Sequence, residues 1–189
     1  MNDPTDASRP FLEALHAQGA AGDRAGNMDL YGWLVGSWEL DVTHVLQDGT
    51  TRRRNGEWHF GWVLEGRAIQ DVWIVPPRGP QRQGDAAASR NSYGTTLRTY
   101  DPSIDAWHIQ WTDPVTQSHI SMIGRRQGDD IVQLGKGTGN NLIRWSFSEI
   151  TPRSFRWRGE VSGDGGATWR LNVEFFARRT GLQEQAAKP

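Results

Sequence analysis

Trp58-His59-Phe60-Gly61-Trp62 and Trp107-His108-Ile109-Gln110-Trp111 decide the fold. Both segments read Trp-His-apolar-x-Trp, and in both an apolar or aromatic side chain recurs at every second residue. A period of two belongs to a strand, whose successive side chains point to opposite faces; a helix repeats at about 3.6 residues. The Trp of each segment therefore share one face, and His59 and His108 share the other. The same alternation continues on both sides. Trp38, Leu40 and Val42 alternate with Glu39, Asp41 and Thr43, and Ile143, Trp145 and Phe147 with Arg144, Ser146 and Ser148. Phe155 and Trp157 alternate with Arg156 and Arg158, and Trp169, Leu171, Val173 and Phe175 with Arg170, Asn172 and Glu174. Strands of this kind build an antiparallel sheet with one wet and one buried face.

Turn signals separate the runs: Asp48-Gly49, Glu65-Gly66, Asp101-Pro102, Asp113-Pro114, Gly128-Asp129, Gly139-Asn140, Thr151-Pro152 and Asp164-Gly165-Gly166. They predict ten strands near 36–46, 52–63, 67–75, 92–100, 105–112, 117–125, 130–136, 141–150, 154–162 and 168–178. Each strand follows closely on the last, so the expected fold is all-β, a single antiparallel up-and-down β-barrel with a short N-terminal helix. The barrel domain is expected over 28–179. Residues 1–27 are expected to be a mobile arm containing a short helix at Phe11–His16, and 180–189 a disordered tail. The connection from Pro76 to Ser92 is long for a compact β domain and suits a lid over one barrel mouth.

The chain has 189 residues, 36% of them apolar, with 10 Trp, 22 Gly and 9 Pro. That length supports one domain with a core, and indoles fill or line much volume per residue. The formal net charge is −1, without the basic excess of a nucleic-acid binder. Arg52-Arg53-Arg54 reads as a solvated hairpin end rather than a phosphate site. The absence of Cys excludes disulfides, thiolate nucleophiles and Cys-ligated zinc. No run approaches the roughly 18 apolar residues of a membrane span, and Met1–Pro10 lacks the apolar centre of a secretory signal, so a cytoplasmic protein is expected. No phosphate loop, Gly-x-Ser-x-Gly elbow or His-x-x-x-His pair occurs, and neither a metal nor a cofactor is expected.

Gly36-Ser37-Trp38 opens the first strand just after a helical turn at Leu30–Val35 and resembles the Gly-x-Trp start of lipocalins and other calycins. Val63-Leu64-Glu65-Gly66-Arg67, and Tyr100-Asp101-Pro102 followed by Trp107 and Trp111, are similar to bacterial lipocalin-like proteins of the calycin group, of nitrobindin and fatty-acid-binding-protein type. The resemblance covers roughly 30–178. It implies that Trp38 plugs the closed end of the barrel and that an Arg from the last strand, Arg178 or Arg179, packs across it. Nitrobindins hold haem through a His near the C-terminal end; this sequence has no His after His119, which argues against haem. Ser162-Gly163-Asp164-Gly165-Gly166-Ala167-Thr168-Trp169 resembles the Asp-box of β-propellers. It occurs once, so Asp164 and Trp169 are expected to build a hairpin turn, not a sialidase site.

The candidate ligand-binding residues follow from parity. Trp58, Trp62, Trp107 and Trp111 should face inward, with His44, which has the parity of Trp38, Leu40 and Val42. His119 and Arg98 have ambiguous parity, and Asp71 and Asp113 sit among apolar residues without forming a carboxylate pair. The leading expectation is a soluble protein that binds a small, mostly apolar or aromatic molecule inside the barrel. An alternative is an enzyme of isomerase, hydratase or decarboxylase type using the same cavity, with His44 as an acid or base. A third is a filled barrel acting as a homodimerisation or interaction module through Trp73 and Tyr100, read as outward. Nucleic acid and membrane are not expected partners.

Overall fold

The computed structural model describes residues 4–79, 91–137, 139 and 141–181; residues 80–90 of the loop expected as a lid over 76–92, and 182–189 of the tail expected over 180–189, lie outside them. The chain begins with helix α1 (Pro4–Leu15), a two-residue strand β1 (His16–Ala17), a 3-10 turn (Gly22–Arg24) and helix α2 (Ala25–Gly32). Ten strands follow: β2 (Gly36–Val45), β3 (Thr51–Val63), β4 (Ala68–Val75), β5 (Ser92–Asp101), β6 (Ala106–Asp113), β7 (Ser118–Gln127), β8 (Asp130–Lys136), β9 (Leu142–Ser148), β10 (Ser154–Ser162) and β11 (Arg170–Arg179). Each pairs antiparallel with its neighbour in sequence, and β11 returns to β2, so the sheet closes into an all-β, calycin-like barrel. β3 pairs with β2 as far as Phe60, and beyond that point β1 takes up Trp62 and Val63. Closure occupies the edges that an open meander would expose.

The N-terminal helix is longer than the stretch Phe11–His16 predicts. Pro4 is tolerated in a first turn, and Arg9 Nε meets Glu13 Oε1 at 2.8 Å one turn on. Phe11 and Leu12 of this helix remain 66% and 56% exposed. The helical turn expected at Leu30–Val35 is the C-terminal end of α2, continued by Leu34 N–H donating to Tyr31 O at 3.0 Å.

Helix α2 closes one end of the barrel, burying Met28 and Tyr31, with Leu34 just beyond it. Trp38 is fully buried beneath, and its indole N–H donates to Leu34 O at 2.7 Å. Arg179, not Arg178, lies across the ring with Cζ 4.1 Å from its centroid. Its guanidinium donates to Val35 O at 2.7 Å, Pro152 O at 2.9 Å and Trp33 O. Arg178 points outward to Asp41 at 2.6 Å. Gly36 is required here: its φ is +124°, and a Cβ would stand 2.7 Å from Arg179 Nη1.

Asp164 builds the β10–β11 turn. It accepts the Thr168 hydroxyl, the Thr168 N–H at 2.9 Å and the Ser162 hydroxyl at 2.7 Å, and these bonds hold its carboxyl well below the usual range. Trp169 donates to Gly166 O at 3.1 Å and lies under Arg144, 4.2 Å from the ring. It belongs to this turn, so β11 begins at Arg170 rather than at 168.

Candidate functional site

Pairing register carries one face through the whole sheet. Trp38 lies opposite Trp58, Leu40 opposite Gly56, Val42 opposite Arg54 and His44 opposite Arg52. Trp58 lies opposite Trp73, and Thr96 opposite Trp111. This shared face is the barrel interior. At the closed end it is filled by rings packed edge to face: Tyr31 on Trp107 at 4.9 Å and Trp38 on Phe155 at 4.8 Å. Toward the other end a cavity of about 240 Å³ remains.

Five indoles wall it, Trp58, Trp73, Trp111, Trp145 and Trp157, together with Ile120 and Val173. The rings brace one another. Trp58 and Trp73 meet at 5.3 Å and 88°, Trp111 and Trp145 at 6.0 Å and 80°, and Trp145 and Trp157 at 5.3 Å. Gly94 makes room for Trp111, since a Cβ there would stand 2.3 Å from that ring. His44, Ser92, Thr96 and Ser118 supply the polar points of the wall. Burial first, and then the charges of Arg54 and Arg52, hold the His44 imidazole below its usual pKa.

Three of the five expected residues meet in this cavity: His44, Trp58 and Trp111. Trp62 and Trp107 do not. Trp107 is 1% exposed and packs on Tyr31 in the filled end. The Trp62 ring reaches α2, 3.0 Å from where a Cβ on Gly32 would stand. Parity places both on the right face, but four residues of strand span roughly 13 Å, so each Trp-x-x-x-Trp puts one ring at the cavity and one at the closed end.

Trp73 and Tyr100 also differ from expectation. Both follow the inner parity. Trp73 faces the cavity, and Tyr100 packs on Trp107 at 5.9 Å. The outward patch that motivated dimerisation is therefore not formed by these two side chains. β4 hides its parity because Ala68, Ile69, Ile74 and Val75 are all buried, leaving little polar alternation to read. Trp145 and Trp157 were legible as inward but carried no sign of their height in the barrel.

Between Tyr31 of the closed end and Trp58 of the cavity wall lies a buried ion pair. Arg98 Nη1 donates to Asp71, whose other oxygen accepts the Thr96 N–H at 3.1 Å. The two side chains are 1% and 0% exposed. The Arg98 guanidinium stands 5.5 Å from the Tyr31 ring, 5.9 Å from Trp58 and 5.4 Å from Phe60. Tyr31 accepts a bond from Gln133 at 2.9 Å, and its burial pushes the phenol pKa up to about 12. Trp58 Nε1, Trp157 Nε1 and Thr96 Oγ1, all on cavity-wall residues, are buried without a hydrogen-bond partner among the described residues.

The remaining candidates lie elsewhere. His59 is on the outer face with Ser37 at 2.8 Å and Glu57 at 3.1 Å, and His108 meets Asp101 at 3.0 Å. Asp113 is 1% exposed and caps the β6–β7 turn, accepting from Ser92 Oγ at 2.6 Å and Val115 N–H at 2.9 Å. Among the described residues no three His or acidic side chains gather as a metal site, and no helix is long and apolar enough to cross a membrane.

No protein-family model matches the chain, and no curated protein matches it in sequence. Solved structures do. The S-type phycobiliprotein lyase CPES from Guillardia theta is similar with a TM-score of 0.55 and 10% identity, over 82% of this chain and 93% of that one. Rv2717c from M. tuberculosis is similar with a TM-score of 0.56 and 10% identity, over 86% and 99%. At this identity the likeness is one of fold.

Proposed function

We propose that the open half of the barrel binds one small, mostly apolar or aromatic molecule. The observation that carries this is unfilled volume in a barrel that fills its other half. Tyr31, Trp38, Trp107, Phe147 and Phe155 are 0–1% exposed, whereas about 240 Å³ stays open between five mutually braced indoles. Rigid aromatic walls with a few polar points are the usual make-up of a small-molecule site. Little ordering is left for a ligand to impose, which favours affinity.

The enzyme alternative needs groups of opposite acid–base role at one substrate. Among the described residues His44 is the one titratable side chain in the wall of this cavity, and Asp71 and Arg98 are engaged with each other. Binding is therefore the better supported use.

The test is N-phenyl-1-naphthylamine, a neutral aromatic dye that brightens in apolar surroundings. Saturable, one-site brightening with energy transfer from Trp is expected. Ile120→Trp, which fills the cavity, should abolish it while far-UV circular dichroism stays unchanged; Val173→Phe should do the same. A dye signal that never saturates, or one untouched by both filling variants in folded protein, refutes the proposal.

A further inference from the structure

We infer that the molecule held in this cavity is an aromatic hydrogen-bond donor: it carries an O–H or N–H group, and Ser92 Oγ accepts the bond from it. The inference rests on the cavity reading above and adds the chemical class of the ligand, phenols and N–H aromatics in place of ethers and ketones.

The Ser92 hydroxyl has a single proton, and that proton is already bonded. Ser92 opens β5, is half-buried in the cavity wall and shares the inner parity of Gly94 and Thr96. Its Oγ donates to Asp113 Oδ2 at 2.6 Å. Asp113 ends β6, is 1% exposed and lies opposite Ser118, another wall residue. Its other oxygen, Oδ1, accepts Val115 N–H at 2.9 Å and Thr116 N–H at 3.2 Å. These two backbone bonds hold the carboxylate in the β6–β7 turn and leave Oδ2 to Ser92. A carboxylate only accepts, so the serine proton stays with it and lone pairs alone are left for a ligand. The bond to Asp113 also makes the serine oxygen a better acceptor, because linked hydrogen bonds polarise one another.

The other polar points of the wall do not set the opposite preference. Thr96 Oγ1 and the indole nitrogens of Trp58 and Trp157 are enclosed atoms with almost no surface to offer a ligand. The Ser118 hydroxyl can turn to accept as readily as to donate. His44 is held below its usual pKa, by burial above all, so near neutral pH its imidazole is uncharged and one ring nitrogen accepts. Ser92 is thus the wall group whose role is fixed, and it is fixed as an acceptor. A ligand whose polar group has only lone pairs meets lone pairs there. One with an O–H or N–H completes a chain of hydrogen bonds that ends on Asp113.

The experiment compares 2-naphthol with 2-methoxynaphthalene, which has the same fused rings but a methyl group in place of the hydroxyl proton. Each is titrated near neutral pH as a competitor of N-phenyl-1-naphthylamine. The naphthol should displace the dye at a concentration at least about five-fold lower, the usual worth of one hydrogen bond. Ser92→Ala removes the acceptor and should bring the two compounds to within about two-fold of each other. Asp113→Asn is the sharper variant, because it keeps the shape of the wall. An Asn side chain retains an oxygen for the two backbone N–H groups and presents N–H to Ser92, whose proton must then turn away. Ser92 becomes a donor, and the preference for the naphthol should again fall to within about two-fold. Far-UV circular dichroism checks that both variants are folded. If the naphthol gains nothing over the ether in the parent protein, or keeps its advantage in either folded variant, the donor inference falls and the cavity reading stands. If neither compound nor the dye binds, both fall.

Discussion

Replacing Asp71 by Asn strands a charge in the middle of the barrel. The Arg98 guanidinium is enclosed by Tyr31, Trp58 and Phe60. Its side chain is 1% exposed, so water cannot replace the lost carboxylate. Breaking a buried pair from one side costs about 3–5 kcal/mol. For a domain of this size each kcal/mol lowers Tm by about 2–4 °C, so a fall of roughly 6–20 °C is expected. Removing both partners is a different perturbation. Asp71→Leu with Arg98→Met deletes the charge together with its partner and keeps an apolar filling, and should lie within about 1 kcal/mol of the parent or above it. Urea unfolding followed by Trp fluorescence measures both, and an unchanged m-value confirms that the unfolded state is comparable. Asp71→Asn costing under about 1 kcal/mol, or a double variant as unstable as the sum of the singles, would refute the picture of a dry ion pair.

Trp38→Ala should cost about 3–5 kcal/mol in the same assay, the range for truncating a buried aromatic. Gly94→Ala should push the Trp111 ring toward the cavity, because the new Cβ would start 2.3 Å from it; weakened dye binding in a folded protein is the readout. His44 gives a pH signature. Its folded pKa lies below the unfolded value near 6.5, so its contribution to stability is present at higher pH and is lost as pH falls through 6.5 toward the folded pKa. Thermal melts between pH 7.5 and 5.5 should therefore show a smaller acid-induced fall in Tm for His44→Gln than for the parent.

The strands were legible where one face is wet and the other dry. β6 announces itself as Trp107, Ile109 and Trp111 against His108 and Gln110. β4 does not, because both of its faces are buried, and Trp73 was read the wrong way round for that reason. Parity also leaves height unstated: Trp58 and Trp62 share a face, yet only register and the position of α2 show that one faces the cavity and the other the closed end. Arg52 and Arg54 are harder still, since an inward charge looks in sequence like the end of a hairpin. Arg170 lies opposite Val161 because the β10–β11 pairing passes over Asn172, an extra residue that no sequence pattern announces. The Asp71–Arg98 pair is legible only from register. Ile69 lies opposite Arg98 and Asp71 opposite Thr96, so Asp71 and Arg98 are diagonal neighbours on one face.

The Asp71–Arg98 pair connects the barrel's stability to its cavity through Trp58. The interior could have been packed along its whole length, as Trp38, Phe147 and Phe155 pack the closed end. The Asp71–Arg98 pair lies between Tyr31 of that end and Trp58 of the cavity wall. Arg98 also holds the face of Trp58 from below, while Trp73 at 5.3 Å and Phe175 at 5.4 Å hold its flanks. The indole is thereby fixed on the side away from the cavity, and the face it presents inward stays open without collapsing.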